Sequence, residues 1–115
     1  WQMTGAAVAS SGLGGFNAPV AFDFDSAGNL IVAEYGNHRL QRFASDGRNL
    51  GWMGGGQRSE TSGAWEFQGT SRAGNGPGAF RHPYDVVSHC DTLYVADTEN
   101  GRIQVIRPRI PTGSI

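Results

Sequence analysis

Apolar and polar residues alternate with a period of two over residues 20–25, VAFDFD, which puts Val20, Phe22 and Phe24 on one side and Ala21, Asp23 and Asp25 on the other. That period marks a half-buried strand. An apolar, β-branched run follows at 30–33, then the turn formers around Asn37, then an alternating segment at 39–43. Two strands joined by a short turn of this kind form a hairpin. An Asp-Gly turn at 46–47 leads to a fourth strand at 49–53. The pattern then restarts, with strands expected at 84–88, 93–96 and 102–106 and a turn at Asp91 and Thr92. LYVADTENGRIQVI at 93–106 repeats LIVAEYGNHRLQRF at 30–43. Pro83 lies 64 residues after Pro19, and Leu93 lies 63 after Leu30, so the register holds with one residue lost. Phe22, Phe24, Ile31, Leu40, Val86, Tyr94, Val95, Ile103 and Val105 are the expected core between the two repeats.

The repeats divide the chain. Residues 1–14 are an outer strand and a loop, 15–54 a first four-stranded unit, and 55–77 a glycine-rich insertion. Residues 78–107 form a second unit that lacks its outer strand, because Pro108 and Pro111 interrupt the tail at 108–115. Trp1, Gln2, Met3 and Thr4 are an outer strand without a unit of their own. Within the insertion, AWEFQ at 64–68 alternates well enough for a small extra strand and is expected at the rim or on one face.

Composition narrows the picture. Eighteen glycines spread between apolar runs suit many short strands. A net charge of −1 favours neither nucleic acid nor an anionic membrane as partner. All nine basic residues are arginine, the side chain suited to fixed, bidentate pairing. Cys90 is the single cysteine, so an intrachain disulfide and a cysteine zinc site are both out of reach. No apolar run is long enough to span a bilayer as a helix. The chain begins at Trp1, as a processed protein or an excerpt of a longer one would.

The motif P-x5-D-x-AGNLIVAEYGNHRLQRF-x2-DG at 19–47, with its second copy at 83–106, resembles the NHL repeat, the blade unit of a family of β-propellers. The resemblance implies an all-β fold of two four-stranded antiparallel blades per chain. Propellers have roughly four to eight blades, and this family commonly about six, so other chains or flanking repeats are expected to complete the ring. Peptidylglycine amidating lyases, a zinc-dependent group within the family, resemble the second hairpin and carry a functional tyrosine at the place of Tyr35. The lyase zinc histidine after the repeat proline is Tyr84 here, and the lyase arginine in the second turn is Thr98. Those departures argue against the same chemistry, and neither a metal nor a cofactor is expected.

Glu34 and Asp97 end the second strand of each repeat, and Arg39 and Arg102 open the third, five residues later. They read as carboxylate–arginine pairs that hold the turns, contributing about 0.5–1 kcal/mol each if exposed. Asn37 and Asn100 are expected to supply left-handed turn geometry, and Gln41 and Gln104 to bond between strands. Candidate ligand-binding residues are Tyr35 and His38, in the first hairpin turn, and His82, Tyr84 and Asp85, at the inner strand of the second repeat, where propellers place residues around the channel mouth. The ligand class they imply is a small molecule or a glycan, without further identity.

Two blades cannot close a ring, and repeat arrays need about three or more units to bury a continuous core. The expected function is therefore a structural or interaction module, a propeller that self-assembles as a homo-oligomer when residues 1–4 of one chain complete the second blade of the next. Head-to-tail contacts of this kind close into a trimeric ring or grow as a filament. The alternative is part of a secreted propeller enzyme of lyase or lactonase type. Either reading places the protein outside the cell or in the periplasm.

Overall fold

The computed structural model describes residues 12, 14–55, 64–67 and 71–108. They form two antiparallel sheets. The first holds β1 (Pro19–Phe24), β2 (Leu30–Glu34), β3 (Arg39–Phe43) and β4 (Asn49–Met53) in sequence order. The second holds β5 (Pro83–His89), β6 (Thr92–Asp97) and β7 (Arg102–Ile106), also in order. Each sheet is a meander of adjacent hairpins, the topology of a propeller blade. Among the described residues the helical content is one 3-10 turn, Thr98–Asn100. No helix there is long and apolar enough to cross a membrane.

The expected strands are found within a residue or two at each end. A bulge after the first residue lies at the same place in both sheets, between Pro19 and Ala21 and between Pro83 and Asp85. It follows from the proline, which has no N–H for the ladder. The turn between β5 and β6 is Cys90–Asp91 rather than Asp91–Thr92, and both of its residues are left-handed, with φ of 49° and 63°. Asp and Gly are the usual occupants of such a two-residue turn; here cysteine takes the first place.

The register sorts each blade into two faces. Pairing of Ala21 with Ala33, Asp23 with Ile31, Ile31 with Arg42 and Leu40 with Met53 gathers those residues on one face of the first sheet. Pairing of Val86 with Val95 and of Leu93 with Ile106 gathers theirs on one face of the second. These two faces meet, joined by Trp65 and Phe80, in a single buried cluster. β5 packs against both β1 and β2, as the inner strand of one blade meets the next.

Five of the nine expected core residues are corrected by this arrangement. Ile31, Leu40, Val86 and Val95 are buried, but Phe22, Phe24, Tyr94, Ile103 and Val105 are exposed. Both faces of these strands are apolar, so a period of two cannot say which face the neighbouring sheet covers. The outer faces are left bare: Phe22 is 65 % and Ile103 63 % exposed.

Polar bonds tie the blades together at one end of the strands. The backbone N–H of Ser88 donates to Asp23 Oδ2 at 2.8 Å. Ser26 donates to Asp91 through both its N–H, at 2.9 Å, and its Oγ, at 2.6 Å. The Ser26 hydroxyl and amide hold the Asp91 carboxyl below its ordinary range. Within the insertion, Glu66 exchanges two backbone hydrogen bonds of 2.8 Å with Trp52, adding a single antiparallel bridge to the β4 edge. The remainder of the insertion at 56–63 and 68–70, and residues 1–4, lie outside the described residues.

Candidate functional site

The carboxylate–arginine pairs prove to be the centre of a larger network. Glu34 accepts hydrogen bonds from Arg39 Nε at 2.6 Å, Asn37 Nδ2 at 2.8 Å and Gln41 Nε2 at 2.8 Å. Arg39 Nη2 and Gln41 Nε2 also reach the carbonyl of Gly15, both at 2.7 Å. The second blade repeats the design. Asp97 accepts from Arg102 Nε and Asn100 Nδ2, both at 2.9 Å, while Arg102 and Gln104 hold the carbonyls of Asn75, Gly76 and Ala79. These side chains therefore fix the chain segment that leads into each blade, in addition to the hairpin turn.

Two expectations change in consequence, and a third is extended. The first pair is buried, with Glu34 0 % and Arg39 2 % exposed, so the small contribution of an exposed pair does not apply. Asn37 and Asn100 act through their side chains, and the left-handed residues beside them are His38 (φ 54°) and Gly101 (φ 63°). Gln41 and Gln104 do bond between strands, to Glu34 of β2 and Asp97 of β6, and they reach the lead-in carbonyls as well.

The lead-in lies flat on the turn after β2. Tyr35 N–H donates to the Ala18 carbonyl and Gly36 N–H to that of Asn17, at 2.9 and 3.0 Å. A Cβ on Gly36 would meet the side chain of exposed Asn17, which would have to move aside.

On the other side of that turn stands His82, from the lead-in of the second blade. Its ring stacks on Tyr35 with centroids 4.2 Å apart and tilts against His38 at 4.3 Å. Tyr84 meets Tyr35 edge to face at 6.2 Å. Tyr35, His38, His82 and Tyr84 thus come together. Asp85 is engaged separately, its Oδ1 accepting from the Val86 N–H at 2.8 Å.

Backbone groups set the tautomer of both imidazoles. The His82 N–H donates to His38 Nδ1 at 3.0 Å, which leaves the neutral His38 proton on Nε2. The Tyr35 carbonyl, 2.8 Å from His82 Nδ1, can only accept, so that nitrogen carries the proton. His82 Nε2 lies 3.7 Å from Glu99 Oε2. His38 titrates below its ordinary value, first through burial and then through His82 and Arg81, with Glu99 and Asp97 opposing. Protonating His38 on Nδ1 would also break the bond between the blades.

The sign of the pH effect follows. The unfolded chain takes up the His38 proton near pH 6.5, whereas the folded chain resists until lower pH. The stability this group contributes is complete above 6.5 and is lost as pH falls through the folded value. Thermal unfolding between about pH 8 and about pH 5 should show the midpoint falling on the acid side, and His38→Asn, which tolerates the left-handed backbone, should flatten that fall. An unchanged slope in the variant would refute this role.

His38 and His82 are both non-glycine residues at positive φ, a strain of about 1–3 kcal/mol each that gathers at functional sites. One signal was available in the sequence. At the repeat offset His38 falls on Gly101 and His82 on Ala18, and all four are left-handed. A histidine where the other copy keeps a glycine marks a position held for its side chain. Among the described residues, no three His, Cys, Asp or Glu side chains gather as a metal site would need.

The four-stranded meander, the buried carboxylate–Arg–Gln network and the lead-in it grips define β-propeller blades. The NHL repeat family model matches residues 16–43, which hold β1, β2 and β3 of the first blade. No curated protein matches the chain.

Proposed function

We propose that the chain is a structural and interaction module, a two-blade unit that joins further blades of its own kind into a closed NHL propeller. One observation carries the reading: the two bare faces are the repeat counterparts of the two that pack together inside the chain. At the repeat offset, exposed Phe22 and half-buried Leu30 correspond to buried Val86 and Leu93, while exposed Tyr94 and Ile103 correspond to buried Ile31 and Leu40. The bare face of the second blade therefore suits the bare face of the first blade of another unit. The contact is heterologous, and such contacts close when the rotation per unit divides a full turn.

Strand donation fits the same scheme. β7 is the edge of its sheet among the described residues, and Trp1, Gln2, Met3 and Thr4 of a neighbouring unit supply the missing outer strand by β-addition. The histidine–tyrosine cluster then lies on the face that carries the β2–β3 turns and serves recognition. That same cluster is what supports the second reading, part of a secreted propeller enzyme. Sedimentation of the 12.2 kDa chain should show a species of about three chains, and removing residues 1–4 should dissolve it. A wild-type chain that sediments as a monomer at every concentration overturns self-assembly.

A further inference from the structure

Arg42 breaks the pattern of its blade. It sits on the inner face, opposite Ile31 in the register, where its repeat counterpart is Val105. Its guanidinium carbon lies 5.0 Å from the centroid of the Trp65 ring. Its Nε is buried and has no hydrogen-bond partner among the described residues. A buried donor without an acceptor is costly and is retained where something else satisfies it.

Arg42 lines a cavity of about 400 Å3 between the blades, within the range of about 300–1,000 Å3 typical of small-molecule sites. Ile31, Leu93, Trp65 and the exposed Phe67 supply apolar wall, and Asp25 and Asp91 line it from the β1–β2 and β5–β6 turns. Both carboxylates are held in place. Asp25 accepts from Ala27 N–H, Asn29 N–H and Asn29 Nδ2, and Asp91 from Ser26. Each carboxylate oxygen has two acceptor sites, so Asp25 Oδ2 and both Asp91 oxygens retain one beyond these bonds.

The occupant must match this set. Arg42 asks for an acceptor, while the two carboxylates ask for donors. One positive and two negative charges disfavour an anion. Hydroxyl groups donate and accept at once, and a sugar ring adds an apolar C–H face that suits aromatic walls. We propose that the cavity binds a neutral pyranose ring, with Arg42 donating to one ligand oxygen, Asp25 and Asp91 accepting from hydroxyls, and Trp65 and Phe67 covering the apolar face. The site is built within one two-blade unit and does not depend on self-assembly.

Nuclear magnetic resonance of the full chain tests this by following the Arg42 Nε–H and the Trp65 indole N–H. The probes are the methyl glycosides of glucose, galactose, mannose and fucose, with benzoate as the anionic control and leucine as the zwitterionic one. At least one glycoside should shift both signals saturably, with no saturable response to either control. Arg42→Val, a change to the residue type that the second blade carries at this position, should weaken that binding about tenfold or more, the loss expected for a charge-assisted hydrogen bond. Phe67→Ala alters a side chain that is 57 % exposed and should weaken binding several-fold without harming the fold, so it decides the matter if Arg42→Val does not fold. No saturable response to any glycoside, saturation by a control instead, or wild-type affinity in Arg42→Val or Phe67→Ala each overturns the assignment.

Discussion

Glu34→Ala should lower folding stability by about 3–5 kcal/mol, the cost of stranding a buried charge. The Glu34 carboxylate accepts from Arg39, Asn37, Gln41 and the backbone N–H of Asn17, and none of these can turn to bulk water without opening the lead-in. Arg39 would keep its bonds to the Gly12 and Gly15 carbonyls but lose its counter-charge in a place that is 2 % exposed. Domains of this size have about 5–15 kcal/mol in all, so the variant should unfold at a far lower urea concentration. Asp97→Ala removes the matching group of the second blade, but there Arg102 is 32 % exposed and the stranded charge can be hydrated. Its loss should be the smaller of the two. Glu34→Gln, which retains an acceptor, should fall between wild type and alanine. A loss under about 1 kcal/mol for Glu34→Ala would show that the network is ornamental to the fold.

Phe22→Asp and Ile103→Asp should each abolish assembly while leaving the isolated unit folded. Each side chain is more than half exposed in the single chain, so the substitution removes little from the fold itself. Burying an aromatic or branched side chain contributes about 1.5–3 kcal/mol, and a carboxylate brought into the same contact without a partner costs several kcal/mol more. Every 1.4 kcal/mol is about tenfold in affinity, so association should weaken by roughly a thousandfold or beyond. Sedimentation reports the loss, and circular dichroism at the same concentration reports the fold. The two positions lie on opposite outer faces, and a head-to-tail contact needs both. An assembly that survives either substitution would place the contact elsewhere. Loss of the fold would mean that these faces serve the unit itself.

The alternation of small runs of apolar residues with turn formers, repeated at an offset of 63 to 64 residues, determined the strands, their order and the two-blade organisation. Those are local properties: strand period, proline placement and turn chemistry act over a few residues and leave direct marks. The carboxylate, arginine and glutamine positions were equally legible because each repeat carries a full set. What they bind was not, since the carbonyls of Gly12, Gly15, Asn75, Gly76 and Ala79 are brought to them by the path of the chain. The sequence named Tyr35, His38, His82 and Tyr84, and their meeting came from the docking of one blade on the next. Docking also decided which apolar face is core. Phe22 and Ile31 look alike as sequence, and only the position of the second sheet buries one and bares the other. Arg42 shows the same division. Its residue type is plain in the sequence, but the cavity and the Trp65 ring beside it exist because residues 64–67 pair with the β4 edge and Trp65 packs into the core there.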